Sequence, residues 1–460
     1  MKLRQKMTGM MLFTVICIVA VVMMARCTGN DTQTKERYFP GLGDYADLYL
    51  RQSYDVLHMI KYRELGKIGE AAKIAASRKM NGGRIYSSIW TPHIMYSGAC
   101  DETVPGNPNI APDYRVHSEN FRKFPEDLGA NDFLIVAGPG NQAARERGCY
   151  LVGVGYPMST NRYSPPKYND HPDIVMETQV DMMIYTWGPK EDGLVMPALT
   201  PHLKICPTSP MTVAGYWLLM AQIAHNLAYE DTTGTFEASE TYIDTLMARL
   251  AAFHERYIGE VHDIGRAVAD RVLDGGKIYP WSSRWEFYQE ASGTAGSVMG
   301  IYPIHPDGIY SGPGMTRPPQ FNPDDVTGRD IFIMAVSGDN PEIEREMTEK
   351  IRAKGALIIG IYPFEREDGY DTTIFNSLCD FSLDNFSGDR WGVLEMPGYD
   401  TKIIPTVALM NNYAWWSIIA AYVQDMEGRG ETPYYWMSWH VPGGKAYTDS
   451  VHTHFLERGY

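Results

Sequence analysis

A short run in the second half of the chain, Ser337-Gly338-Asp339-Asn340-Pro341, has the residue types of an anion-binding turn. It follows an apolar stretch at 331–336 and leads straight into a helical pattern. Gly338 allows a tight turn, Ser337 offers a hydroxyl, and Pro341 suits a first helical turn. Free N–H groups at a helix start favour a negatively charged ligand. The same residues also suit a plain N-cap turn, where Ser, Asp and Asn are favoured without any ligand. Which use applies depends on the elements that hold the run.

Those elements occur twice. Gly82-Gly83-Arg84-Ile85-Tyr86 returns as Gly275-Gly276-Lys277-Ile278-Tyr279, and Lys204-Ile205-Cys206-Pro207-Thr208 as Lys402-Ile403-Ile404-Pro405-Thr406. Met196-Pro197 returns as Met396-Pro397, and Trp217 falls opposite Trp415. Four matches in one order at a nearly constant offset mean that a unit of about 200 residues, an ordinary domain size, has been copied.

Each copy opens with a long helical pattern, 45–80 or 242–273, ended by a Gly-Gly pair. A short strand follows at 84–86 or 277–279, then a loop rich in hydroxyls and aromatics. Further strands are continuous apolar runs, 133–137 and 150–154 in the first copy, 331–336 and 356–361 in the second. Helices at 142–148 and 341–354 separate them, and each copy closes with an apolar, aromatic helix at 210–227 or 407–426. Strands apolar on both faces and separated by helices predict a parallel sheet covered on both sides. The fold class expected is α/β: two tandem three-layer α/β/α domains, each with a parallel, flavodoxin-like sheet. The boundaries expected are 40–230 and 240–460. In such sheets ligands bind at the carboxyl ends of strands, where the 337–341 loop would lie.

Composition narrows the function. The chain of 460 residues is 44% hydrophobic and 21% charged, with a formal net charge of -15. Four basic residues, Lys2, Arg4, Lys6 and Arg26, stand in a first stretch that has no acid, so the rest is more acidic still. Such a surface repels a phosphate backbone, and no nucleic-acid partner is expected. Six scattered cysteines without a CxxC exclude a zinc ribbon or a thioredoxin-type site. The absence of HExxH, GxSxG and a P-loop speaks against a zincin, an α/β-hydrolase and a nucleotide triphosphatase. Neither a metal nor a cofactor is expected.

The layout of long helix, Gly-Gly-Ile-Tyr strand, SGxNP loop and apolar strand resembles the SIS (sugar isomerase) phosphosugar-binding domain. That family's S-x-S-G-x-N-P run stands here as Ala335-Val336-Ser337-Gly338-Asp339-Asn340-Pro341. Leu383-Asp384-Asn385 with Gly388-Asp389, and the tail Ser438-Trp439-His440-Val441-Pro442-Gly443-Gly444, look like segments of an uncharacterised SIS subgroup. The likeness spans 242–460; the first copy shares it mainly through kinship with the second.

The resemblance implies a sugar or sugar-phosphate ligand in the second copy, with Ser337, Gly338, Asn340 and Asn385 among its contacts. The family's first loop, usually G-x-G-x-S, is replaced by Pro280-Trp281-Ser282-Ser283-Arg284. Ser282 and Ser283 supply hydroxyls, and Arg284 could hold an anion by a bidentate contact or form a surface ion pair. The first copy has Ser87-Ser88-Ile89-Trp90-Thr91, in which Thr91 keeps a hydroxyl at the family's serine position. Trp90 and Trp281 could stack on a sugar ring or simply pack. The first copy's second loop, Ala137-Gly138-Pro139-Gly140-Asn141, lacks the serine, so that copy reads as degenerate.

Family isomerases also need a carboxylate base and usually a histidine. Asp389 and His440 are the leading catalytic candidates, with Glu286, Glu290, Glu395 and His305 behind them. The readings are then a tandem sugar-binding protein, an aldose–ketose isomerase, or a non-catalytic scaffold with vestigial pockets. A homodimer would fit any of the three.

The N-terminus predicts export. A basic start is followed by the apolar run MMLFTVICIVAVVMMA, short for a membrane span but suited to a signal-peptide core. Residues 1–27 are expected to be a signal peptide or a lipoprotein or membrane anchor. Cys27 stands where a lipid would be attached, although Arg26 fits that signal poorly. The periplasm or a membrane surface is the expected location.

Overall fold

The computed structural model describes residues 43–88, 127–136, 142–155, 180–186, 193–283, 287, 290–292, 295–303, 321–336, 341–389, 392–437 and 443–460. The signal-like segment and Cys27 lie outside them. Among the described residues no helix is long and apolar enough to cross a membrane.

The first half runs α1 (Tyr45–Met80), β1 (Ile85–Ser88), β2 (Phe133–Val136), α2 (Gln142–Glu146), β3 (Tyr150–Gly155), β4 (Met182–Tyr185), the hairpin β5 (Gly193–Val195) and β6 (Ile205–Pro207), and α3 (Ser209–Ala228). The second half runs α4 (Glu237–Leu273), β7 (Ile278–Trp281), β8 (Ile331–Ala335), α5 (Pro341–Arg352), β9 (Leu357–Tyr362) and β10 (Phe381–Asp384). It closes with α6 (Val407–Gly428) and α7 (Gly444–Arg458). Strands β1 to β4 form one parallel sheet in chain order, and β7 to β10 form another.

Alternation along the buried strands divides the core. Phe133 and Ile135 face one way, into a cluster shared with α1, α3, α4 and α6, while Leu134 and Val136 face a smaller cluster with Ala144 of α2. Ile331 and Ile333 join the same shared cluster, and Phe332 and Met334 point to the other side with Ile351 of α5. The inner side chains of both sheets thus meet a single layer of four long helices. Each half is a three-layer α/β/α unit, and the two halves share one core.

The copying is visible in the hydrogen bonds. Gly82 (φ 84°) and Gly275 (φ 82°) end α1 and α4 in the left-handed region that glycine tolerates. One residue on, a Cβ at Gly83 would lie 1.9 Å from the Asn131 carbonyl oxygen, and one at Gly276 2.3 Å from that of Arg329. The N–H of Arg84 donates to Asp132 Oδ1, and that of Lys277 to Asp330 Oδ1, both at 2.8 Å. Even the strained backbone repeats, since Cys206 (φ 60°) and Ile404 (φ 66°) hold corresponding positions before α3 and α6.

Candidate functional site

Sheet topology gives the position of a candidate site. Ile278 of β7 pairs with Ile331 of β8 on one side and forms a parallel bridge with Ile301 on the other. Counting that bridge as an edge strand, the order is 2-1-3-4-5, the flavodoxin-like doubly wound order. Its switch point lies between β7 and β8, and ligands of such sheets bind beyond the strand ends there. The residues just past those ends are Ser282 and Ser283 after β7, and Val336 after β8.

Ser282 is buried, and Ser283 Oγ donates to Glu344 Oε1 at 2.6 Å. Glu344, itself buried, stands in the first turn of α5, so this bond ties the β7 loop to the helix that follows β8. Trp281 lies against Phe332 with ring centroids 6.0 Å apart and planes at 28°, and also meets Phe321. Packing on the sheet's outer face, rather than service as a sugar platform, is the use the structure gives it.

The loop after β10 reaches the same edge. Asp384 Oδ1 accepts from the N–H of Phe386 (2.8 Å) and of Phe364 (3.2 Å), and burial raises its carboxyl above the usual value against those bonds. Asn385 is wholly buried; its Nδ2 donates to Asn411 Oδ1 on α6 at 2.8 Å, and Asn411 Nδ2 donates to the Val336 carbonyl at 3.4 Å. From Asn385 a chain of polar contacts leads away from the strand ends. Its Oδ1 accepts from Ser387 N–H, Ser387 Oγ meets Thr406 Oγ1 at 3.1 Å, and Thr406 takes a bond from Arg249. Arg249 in turn grips Asp389 with its two terminal guanidinium nitrogens, at 2.8 and 2.7 Å. Asp389 is therefore oriented by α4 and lies one network away from the switch point.

Of the residues singled out in the sequence, Ser282, Ser283 and Asn385 gather around the ends of β7 and β8. Thr91, Arg284, Ser337, Gly338, Asn340 and His440 lie outside the described residues, as do Trp90, Glu286, His305 and the 137–141 loop. Glu395 is exposed on a separate loop. Sequence reasoning missed Glu344, Asn411, Arg249 and Thr406. An acid four residues into the helix after the SGDNP run was the available signal for Glu344; the other three carry none. Among the described residues no cluster of three or more His, Cys, Asp or Glu could hold a metal ion.

Among the described residues, Glu290 is a carboxyl strongly altered by its surroundings. It stands at the far end of the segment that begins with Ser282, 1% exposed, and its Oε1 accepts from Ser209 Oγ at 2.5 Å and Trp416 Nε1 at 3.3 Å. Burial pushes it up to about 7, and the two hydrogen bonds only partly oppose that.

The fold and this edge define a doubly wound α/β protein in tandem, with the order and paired halves that resemblance to the SIS domain implies. No family model matches the chain. In sequence it is similar to a UPF0309 protein of Listeria monocytogenes, 24% identical over 233 residues that cover 47% of this chain and 97% of the relative. In structure it is similar to the C-terminal domain of glucosamine-fructose-6-phosphate aminotransferase from Francisella tularensis: 10% identity, TM-score 0.48, 84% of this chain and 98% of that one. It is also similar to tagatose-6-phosphate ketose/aldose isomerase from Escherichia coli: 15% identity, TM-score 0.41, 84% and 95% covered.

Proposed function

We propose that the second half binds a sugar or sugar derivative, phosphorylated forms included, in the crevice beyond β7 and β8. One observation carries the reading: the 2-1-3-4-5 order puts its switch point where Ser282, Ser283 and the Asn411-Asn385 pair converge. Hydroxyls and carboxamides on short loops are the groups that recognise sugar hydroxyls, and the proposal adds Ser337, Gly338 and Asn340, which follow Val336 in the sequence. Arg284 would meet an anionic substituent.

Binding rather than isomerisation is the reading favoured. Asp389 is held in both its oxygens by Arg249, which leaves it poorly placed to take a proton from a sugar carbon. A thermal-shift series with glucose, glucosamine, fructose 6-phosphate and glucosamine 6-phosphate tests the proposal. At a hundredfold excess over Kd a true ligand stabilises by about 2.7 kcal/mol, and Ser283→Ala combined with Asn385→Ala should remove most of that shift. A flat response to every sugar overturns the reading, and proton exchange at C2 of a bound sugar in heavy water would replace it with the isomerase.

A further inference from the structure

The two halves close the same junction in different ways. The first residue past β4, Thr186, gives its N–H to the carbonyl of Gly155, the last residue of β3, and Asn385 past β10 does the same with Tyr362, the last of β9. In the first half one step then reaches the closing helix: Thr186 Oγ1 lies 3.0 Å from Thr212 Oγ1 on α3, and both residues are buried. In the second half Asn385 also reaches its closing helix, at Asn411, but that contact is the end of a chain that starts at Arg249 on α4. The offset that sets Gly82 against Gly275 sets Val56 of α1 against Arg249, and Val56 packs on the shared core. One half builds this fold without the arginine, so the fold alone does not require it.

We infer that Arg249 is a positioning residue for the crevice: through Thr406 and Ser387 it fixes which way the carboxamides of Asn385 and Asn411 face. The inference rests on the sugar-binding reading, since those carboxamides belong to that site, and it says what holds them.

The physical basis is the direction of each bond. A guanidinium has only donors, so Thr406 Oγ1 accepts from Arg249, and its own hydrogen is left for Ser387 Oγ, 3.1 Å away. Ser387 Oγ donates to the Asn385 carbonyl at 3.3 Å, and the Ser387 N–H donates to Asn385 Oδ1 at 3.0 Å. With its oxygen facing that N–H, Asn385 turns Nδ2 toward Asn411 Oδ1. At the far end the Val336 carbonyl can only accept, which requires the nitrogen of Asn411 on that side, at 3.4 Å. Both ends demand the same orientation, and turning over either carboxamide would set like groups against each other. Every bond runs from Arg249 toward the crevice, and Asp389 on the two terminal nitrogens holds the guanidinium in place. Thr406, Ser387, Asn385 and Asn411 are all buried, where bonds aligned in one direction reinforce one another.

The test cuts the chain beyond the ion pair. Thr406→Val removes the hydroxyl and leaves Arg249 on Asp389, whereas Arg249→Lys keeps the charge and loses the fork that spans Asp389 and Thr406. Magnetic resonance of the intact protein carrying isotope-labelled asparagine reads the solvent exchange of the Asn411 side-chain amide, and of the Asn411 and Asn412 backbone N–H groups in α6 from the same sample. In both variants the side-chain amide should exchange about tenfold faster, as for the loss of one hydrogen bond, while the backbone groups keep their wild-type rates. Thr406→Ser, which restores a hydroxyl, should restore the slow rate. If Arg249→Lys does not fold, Thr406→Val decides. Loosening of side chain and backbone together, or no change in either, overturns the inference. Titration with glucosamine 6-phosphate, read by thermal shift, separates the two readings. Its Kd should rise about tenfold in Thr406→Val and return in Thr406→Ser. Equal affinity in wild type and Thr406→Val overturns the inference and leaves the sugar site standing. No shift in the wild type removes the sugar reading, and amide exchange then decides the hold on Asn411 by itself.

Discussion

Arg249 and Asp389, 140 residues apart in the chain, meet as a bidentate ion pair that binds the middle of α4 to the loop after β10. The Asp389 side chain is 7% exposed and that of Arg249 18%. Arg249 also bonds Thr406, the residue preceding α6, so the pair locks two elements of the second half to a third.

Removing one partner of so enclosed a pair should cost about 3–5 kcal/mol, because the other charge is left buried. Asp389→Asn and Arg249→Met should each fall in that range in denaturant titrations. The double variant should recover part of the loss. Additive costs would show that the two groups act independently.

The paired glycines give a test of equivalence between the halves. Gly82→Ala and Gly275→Ala meet open space and pay only for a left-handed backbone, about 1–2 kcal/mol. Gly83→Ala and Gly276→Ala drive a methyl into a backbone carbonyl and should cost about 3 kcal/mol. Thermal unfolding of the four variants measures this. A severe effect in one half and a mild one in the other would break the correspondence.

This correspondence is what the sequence displays best. A glycine that must be left-handed, followed by one that must lack a Cβ, cannot drift, so both copies kept the pair and the offset survived. The long helices and the inner strands were legible for the same reason, as apolar periodicity with Gly punctuation. Strands β4 and β10 were not read from the sequence: Met182, Tyr185, Phe381, Ser382 and Asp384 are only half-buried at the sheet edges, which blurs the apolar run. At the site, Ser282, Ser283 and Asn385 were legible because loop composition is local. Glu290 stood behind Asp389 and His440 among six candidate acids and histidines. Its distinction comes from Ser209 and Trp416, 81 and 126 residues away, and no pattern within a helix or loop reports such partners.

The start of α1 carries a pH dependence. Burial pushes the Asp44 carboxyl up, but a hydrogen bond from His262 at 2.6 Å and bonds from the helix N–H groups outweigh it, and the group lies below the usual carboxylate range. A depressed value means stabilisation that is present above about pH 4 and lost as pH falls through the folded value. Asp44→Ser keeps an N-cap acceptor while deleting the contact to α4. It should cost about 1 kcal/mol at pH 6 and nothing near pH 2. Equilibrium unfolding across that interval checks it, and a cost unchanged by acid would assign the effect to the cap alone.

The two halves grip each other at more than one place. Glu427, near the end of α6, accepts from the Tyr45 hydroxyl at 2.6 Å and from the N–H groups of Ala198 and Leu199 at 2.9 Å, all contributed by the first half. A solitary copy of this unit would present that acid, the seam tryptophans and the apolar flank of its leading helix to water. Such a protein would have to find a twin before it could be stable. Joining the twins in one polypeptide freed each from being identical to the other, so the runs that follow β2 and β8 could diverge in sequence, Gly138-Pro139-Gly140 in one and Ser337-Gly338-Asp339 in the other.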